Sequence, residues 1–292
     1  MKNSRPNYNW QFYLLLAFTI IYTATLVPAF KITLEEVSIE QILFFDYLIV
    51  FLIFFFVLIF QNKTNLILQN FKNINSFLLL SLFGLIITRV FYLASFSFIQ
   101  ATEANILYYT YPLVISILGF FVLGERIRPS DILGAILAFL GAFIVVSKLD
   151  FSFLSLNIIG DGLAILGGAC WAVYLVLSKK FNLDSLFIIF YTSLIAALVF
   201  GFYLIFFSSI SIPSFTGILG LLYIGITEGV LFYLFINLLR KNETSKIANT
   251  FYVIPFVVAV LNYFILNEII YPSYIIGLIL LTIGLFIQNK DK

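Results

Sequence analysis

Ten apolar stretches, each about as long as a bilayer is thick, follow one another along this chain with only short connections between them. They lie at 10–30, 41–60, 77–99, 104–124, 129–148, 158–178, 185–207, 214–239, 246–266 and 272–288. A spanning helix needs about 20 mainly apolar residues. Within lipid its backbone N–H and C=O groups have to be satisfied inside the segment, which favours α-helix over any open structure. The expected fold is therefore an all-α membrane protein of ten transmembrane helices. Composition points the same way: 62% of the 292 residues are hydrophobic and 10% are charged, too few polar groups to cover a soluble domain. The first stretch follows Lys2 and Arg5 but runs a full span with no small-residue cleavage site. It reads as a retained anchor, and the whole chain as mature protein.

Charge sets the expected orientation. With ten spans and a cytoplasmic N-terminus, every Lys and Arg falls on the cytoplasmic side except Lys31 and Lys148, outside, and Arg89, within a span. This is the asymmetry of the positive-inside rule, so both termini are expected in the cytoplasm of a cell whose plasma (bacterial inner) membrane holds the protein. The net charge of +2 is spread over short loops, which argues against a nucleic-acid surface. The lipid bilayer is the partner these residues address.

The chain also repeats itself. At an offset of 143 residues, Pro112 and Pro255, Glu125 and Glu268, Pro129 and Pro272, Ser130 and Ser273, Gly134 and Gly277, and Gly141 and Gly284 coincide. Matching Leu, Ile or Phe in two apolar stretches means little, but Glu, Pro, Ser and Gly in register mark a duplicated unit. Each unit holds five spans, an odd number, so the second enters the membrane from the opposite side. The expectation is two inverted five-helix repeats, 1–148 and 149–292, around a central cavity. That arrangement recurs in secondary transporters, where exchanging the conformations of the halves closes one side of a midplane site and opens the other.

The stretch TYPLVISILGFFVLGERIRPSDILGAILAFLGAFIV, from Thr110 to Val145, and its echo VIPFVVAVLNYFILNEIIYPSYIIGLILLTIGLFI resemble the paired EamA domains of the drug/metabolite transporter superfamily. The sixth span, GDGLAILGGACWAVYLVLSKK, is similar to the start of that family's second domain, with Trp171 in the usual aromatic place. The resemblance covers essentially the whole chain. It implies ten spans, cytoplasmic termini, no ATP hydrolysis, and export or exchange of small organic solutes. One departure is Asp46, in FFDYLIVF, where the second span of many members carries a basic residue.

Ionisable residues inside spans are costly and are functional candidates in their own right. Arg89 sits mid-span in GLIITRVFYLASF and Glu228 in LYIGITEGVLFYLF; Thr88-Arg89 matches Thr227-Glu228, so the two are repeat equivalents of opposite sign. Two readings are open. Arg89 and Glu228 lock the halves as an ion pair, or they hold a zwitterion, its carboxylate on the planar guanidinium fork and its ammonium on the acid. Asp46 pairs with Arg89 or Lys31, or carries a coupling proton, for which Glu228 is the other candidate. Tyr92, Asn105, Tyr108, Tyr111, Trp171, Tyr191, Asn249, Tyr252 and Asn262 supply hydrogen bonds and stacking faces for an amphipathic metabolite.

Other repeated residues have structural readings. Pro112 and Pro255 interrupt the backbone ladder of spans four and nine and are expected to kink or gate them. The paired glycines give a smooth stripe for close helix packing or a dimer contact, leaving monomer and homodimer both open. Glu125 and Glu268 are expected to bond exposed amides in the first turn of the following helix. Glu103 and Lys246 read as charges at the mouths of spans four and nine.

These features point to a secondary active exporter of amino acids or similar small organic metabolites, working by alternating access between spans three, four, eight and nine, with coupling to a proton or other ion gradient. Carriage of organic cations or drugs, nucleotide-like compounds or sugar-type solutes is the alternative. An intramembrane enzyme is disfavoured, since the chain has no His, one Cys, and no GxSxG, GxGD or DDxxD element. A passive pore would need no central charges. No His-ligated metal or other cofactor is expected, and with no GxxxxGK[ST] motif, direct ATP drive is unsupported.

Overall fold

The computed structural model describes residues 10–124, 129–147, 157–208, 210, 212–241 and 254–290, and every regular element among them is helical. Helix α1 covers Trp10–Thr33 and α2 Ile39–Phe60; α3 (Asn65–Asn70), α4 (Ile74–Ser81) and α5 (Thr88–Ser95) follow. Then come α6 (Ala101–Tyr108), α7 (Tyr111–Leu123), α8 (Pro129–Ser147), α9 (Ile158–Phe181), α10 (Ser185–Phe207), α11 (Phe215–Lys241), α12 (Ile254–Leu266) and α13 (Pro272–Lys290).

Among the described residues, six stretches are long and apolar enough to cross a bilayer: Leu14–Thr33, Ile39–Phe60, Asn65–Ser95, Ile158–Phe181, Ser185–Phe207 and Phe215–Leu234. Ile254–Leu266 and Pro272–Gly284 are shorter apolar helices. The protein is a multi-pass membrane protein. Large apolar side chains such as Phe60, Phe121 and Phe206 stand exposed on its outside, as contact with lipid requires.

The third span begins earlier than its apolar run. Instead of 77–99 it occupies 65–95, because helix continues through the polar residues before it by way of a 3-10 turn at Phe71–Asn73. Just before Arg89 the same span widens into a π-helical segment, Leu82–Ile87. Such a bulge shifts carbonyls out of the regular ladder. Here the Thr88 hydroxyl donates to the Phe83 carbonyl at 2.5 Å and Tyr47, from α2, donates its O–H to the Leu85 carbonyl at 2.7 Å.

The fourth span, expected as one helix over 104–124, is two. Helix α6 ends at Tyr108, and α7 restarts at Tyr111 with Pro112 in its first turn, where a missing N–H leaves no bond unmade. The Thr110 hydroxyl donates to the Leu107 carbonyl at 2.8 Å across the break. Pro255 lies buried in the first turn of α12.

Helices α8 and α13 pack directly on each other through the repeated glycines. A Cβ on Gly141 or on Gly277 would meet the other's carbonyl oxygen at 2.7 Å, so this contact needs both residues to lack side chains. The stripe is thus used within the chain. Glu103, expected at a mouth, is instead buried and accepts from the Tyr274 hydroxyl at 3.0 Å. Lys246 and Glu125 lie outside the described residues.

Candidate functional site

Arg89 is carried by α5 immediately after the π segment, and Glu228 by α11. The Arg89 Nη2 donates to Glu228 Oε1 in a direct ion pair. Arg89 keeps 16% of its side chain exposed against 1% for Glu228. Its carbon centre lies 5.6 Å from the Phe30 ring centroid, a cation–π contact. Glu228 Oε2 is buried with no hydrogen-bond partner.

The pair forms part of the wall of a cavity of about 110 Å³. At roughly 10–15 Å³ for one ordered water, that is room for several waters or the head of a small metabolite. Tyr92, Asn105, Tyr108, Tyr111 and Trp171 line it together with Arg89 and Glu228. Asn105 donates to the Tyr92 hydroxyl at 3.0 Å, leaving its own Oδ1 buried and unpartnered. The Tyr108 ring lies 4.8 Å from Tyr92 and 5.9 Å from Tyr111. Trp171 stacks on Tyr174 at 4.9 Å and faces Phe232 at 6.4 Å. Small residues make this approach feasible: a Cβ on Gly168 of α9 would collide with the Tyr108 carbonyl oxygen.

Not every candidate joins this group. Tyr191 stacks on Phe77 at 4.5 Å and donates to the Ile67 carbonyl at 2.6 Å, away from the cavity. Asn262 donates to Thr102 Oγ1 and to Glu268. Lys31 donates to the Phe96 carbonyl at 2.6 Å and is not held by Asp46. Asp46 is 0% exposed, with both carboxyl oxygens unpartnered. Asn249 and Tyr252 lie outside the described residues.

Helix α1 supplies a wall that sequence reading did not assign to the site. Thr19, Thr23, Leu26, Val27 and Phe30 line the cavity. The two threonine hydroxyls donate to carbonyls four residues back, at 2.7 Å each, which lets them face an apolar interior without a loose donor. A signal was present: Thr19 and Thr23 share a helix face, and the same helix carries Pro28 in its interior.

A membrane bundle that holds an aromatic-lined cavity with a charge pair in its wall has the build of a solute transporter. The chain belongs to the EamA-like transporter family, whose model matches residues 10–147 and again 158–289. The expected resemblance to paired EamA domains is thereby borne out. The chain is similar to a transporter of Archaeoglobus fulgidus, 30% identical over 65% of this chain and 67% of that protein. One from Clostridium kluyveri is 26% identical over 67% and 66%. The aromatic amino acid exporter YddG of Ancylobacter novellus is 29% identical over 34% of this chain and 35% of its own length. A protein of solved crystal structure, 19% identical, superposes with a TM-score of 0.70 over 94% of this chain and 95% of that one; it shares the fold.

Proposed function

We propose that this protein is a secondary active exporter of amino acids, with those bearing aromatic side chains or similar small amphipathic metabolites as the preferred cargo. The observation that carries the reading is the Arg89–Glu228 pair in the wall of a cavity that Tyr92, Tyr108, Tyr111, Trp171 and Phe232 also line. A zwitterion inserts between the two charges: its carboxylate takes the guanidinium fork, its ammonium takes Glu228, and each buried charge keeps a partner. The aromatic walls then stack on the side chain, each well-placed ring pair adding about 0.5–1.5 kcal/mol. The name of the YddG relative agrees with such cargo.

Ten spans in two inverted repeats, 1–148 and 149–292, both termini in the cytoplasm and residence in the plasma membrane complete the proposal. The in-register Pro, Glu and Gly pairs support the inversion, and the double match of the family model supports the division. Alternating access would proceed by rocking one half against the other around the cavity, with the backbone break before Pro112 as a hinge and Pro255 as its counterpart. A gradient of protons or another ion supplies the drive.

A carrier of organic cations is the second reading, favoured by the unpartnered Glu228 Oε2 beside aromatic faces. Counterflow in proteoliposomes separates the two. Labelled phenylalanine, tyrosine and tryptophan should exchange, and Arg89→Ala and Glu228→Ala should each abolish the exchange while inserting normally. Full exchange by either variant removes the zwitterion site; exchange of organic cations that needs Glu228 but not Arg89 establishes the second reading.

A further inference from the structure

Asp46 is a buried acid that substrate binding, as described, leaves unused. It sits two turns into α2, 0% exposed, and neither carboxyl oxygen has a hydrogen-bond partner. Its neighbour Tyr47 is committed elsewhere, to the Leu85 carbonyl at 2.7 Å. The charged groups that face it are Arg89 on α5 and Glu228 on α11, both helices packed against α2. Helix α10, also packed against α2, offers only tyrosines: Tyr191, bonded to Ile67, and Tyr203, on the outside. One guanidinium therefore stands near two carboxyl groups, and only Glu228 holds it.

We propose that Asp46 is the proton-carrying site of this transporter and that it titrates in exchange with substrate. This deepens the transport reading and rests on it. An unpaired carboxylate in an apolar interior is strongly unfavourable, and a group with no partner for its charge is free to take a proton in a way that Glu228, already engaged by Arg89, is not. With a proton on Asp46, the charges of Arg89 and Glu228 cancel and the pair stays closed. When that proton leaves to water, the three side chains carry one net negative charge, and the five donors of the Arg89 guanidinium divide between Asp46 and the substrate carboxylate. Glu228 is then released from the guanidinium to receive the substrate ammonium. Reprotonation of Asp46 from the other side of the membrane restores the Arg89–Glu228 pair and expels the substrate. One proton enters for each solute that leaves, with no bond changed other than the O–H on Asp46.

Two measurements on the purified full-length protein test this. In proteoliposomes showing phenylalanine counterflow, an imposed pH gradient should drive accumulation by the wild type, whereas Asp46→Asn, fixed in the neutral state that keeps the Arg89–Glu228 pair closed, should insert normally but lose counterflow and accumulation together; Asp46→Glu should restore part of both. Accumulation by Asp46→Asn equal to wild type overturns the proposal. The second readout needs no transport: infrared difference spectra after a pH jump should show a carboxylic-acid C=O band that disappears in Asp46→Asn and persists in Glu228→Gln. A band that survives Asp46→Asn overturns the assignment even if transport of amino acids is established, while absence of counterflow in the wild type for every solute tried removes the transport reading itself.

Discussion

Glu268 accepts a hydrogen bond from the backbone N–H of Ala101 at 2.7 Å, and its other oxygen accepts from Thr102 at 3.0 Å. The carboxylate at the elbow between α12 and α13 thus caps the first turn of α6, from 166 residues away in sequence, and not the helix that follows it. Free amides and the dipole of a helix N-terminus both favour an anion there. Asn262, 0% exposed, bridges the contact by donating to Thr102 Oγ1 at 3.0 Å and to Glu268 at 3.3 Å.

Glu268→Ala should therefore weaken the bundle by about 1–3 kcal/mol, the range for a lost cap with buried donors left open. Thermal unfolding in detergent should fall by several degrees. Glu268→Gln, which retains one acceptor oxygen, should lie between that variant and wild type.

The glycine contact between α8 and α13 gives a second expectation. Gly277→Val places branched carbons where the Gly141 carbonyl and the Val145 side chain stand. Overpacking of this kind costs about 1–3 kcal/mol, and size-exclusion profiles of detergent extracts should show aggregated or degraded protein. Since the stripe is occupied within the chain, the monomer and not a dimer should be the species affected.

Tyr47→Phe isolates the π segment. Removing the hydroxyl leaves the Leu85 carbonyl buried without its donor, a loss of about 1–3 kcal/mol. Differential scanning fluorimetry should report a lower unfolding temperature. The shift should be reproduced by no conservative change at the exposed Tyr203, which bears no such bond load.

Substrate choice should respond to Trp171 and Tyr108. With the ring removed in Trp171→Leu or Tyr108→Leu, KM for phenylalanine or tryptophan should rise about 2- to 10-fold, the equivalent of one stacking contact. KM for an aliphatic amino acid such as leucine should change less. Equal changes for both classes would show that these rings shape the cavity without selecting its content.

Arg89→Lys keeps the charge but loses the planar fork. It should reduce kcat/KM for zwitterions about 10-fold or more, while the protein remains folded because an ammonium can still reach Glu228. Transport kinetics alongside thermal unfolding separate the two effects.

Much of this protein could be read from its residues in order. Long apolar runs define membrane helices because the transfer of each side chain into lipid adds up locally, with no need to know its neighbours. The same economics flagged Arg89 and Glu228: an ionisable group in such a run requires a partner, and the two meet in a wall shared with Tyr92, Asn105, Tyr108, Tyr111 and Trp171. Local signals misjudged the ends and interruptions of helices. The third span extends back to Asn65, and the fourth breaks ahead of Pro112.

Tertiary structure alone decided which distant surfaces touch. That α1 closes the cavity with Thr19, Thr23 and Phe30, that the Glu268 carboxylate reaches Ala101, and that Gly141 meets Gly277 are matters of approach between residues far apart in the chain. The π segment before Arg89 belongs with them, since the Leu85 carbonyl it turns aside is satisfied only because α2 brings Tyr47 alongside. Hydrophobic transfer acts residue by residue and leaves its mark in the sequence, whereas close packing and hydrogen-bond satisfaction act over a few ångströms of space and become definite only once the helices are assembled.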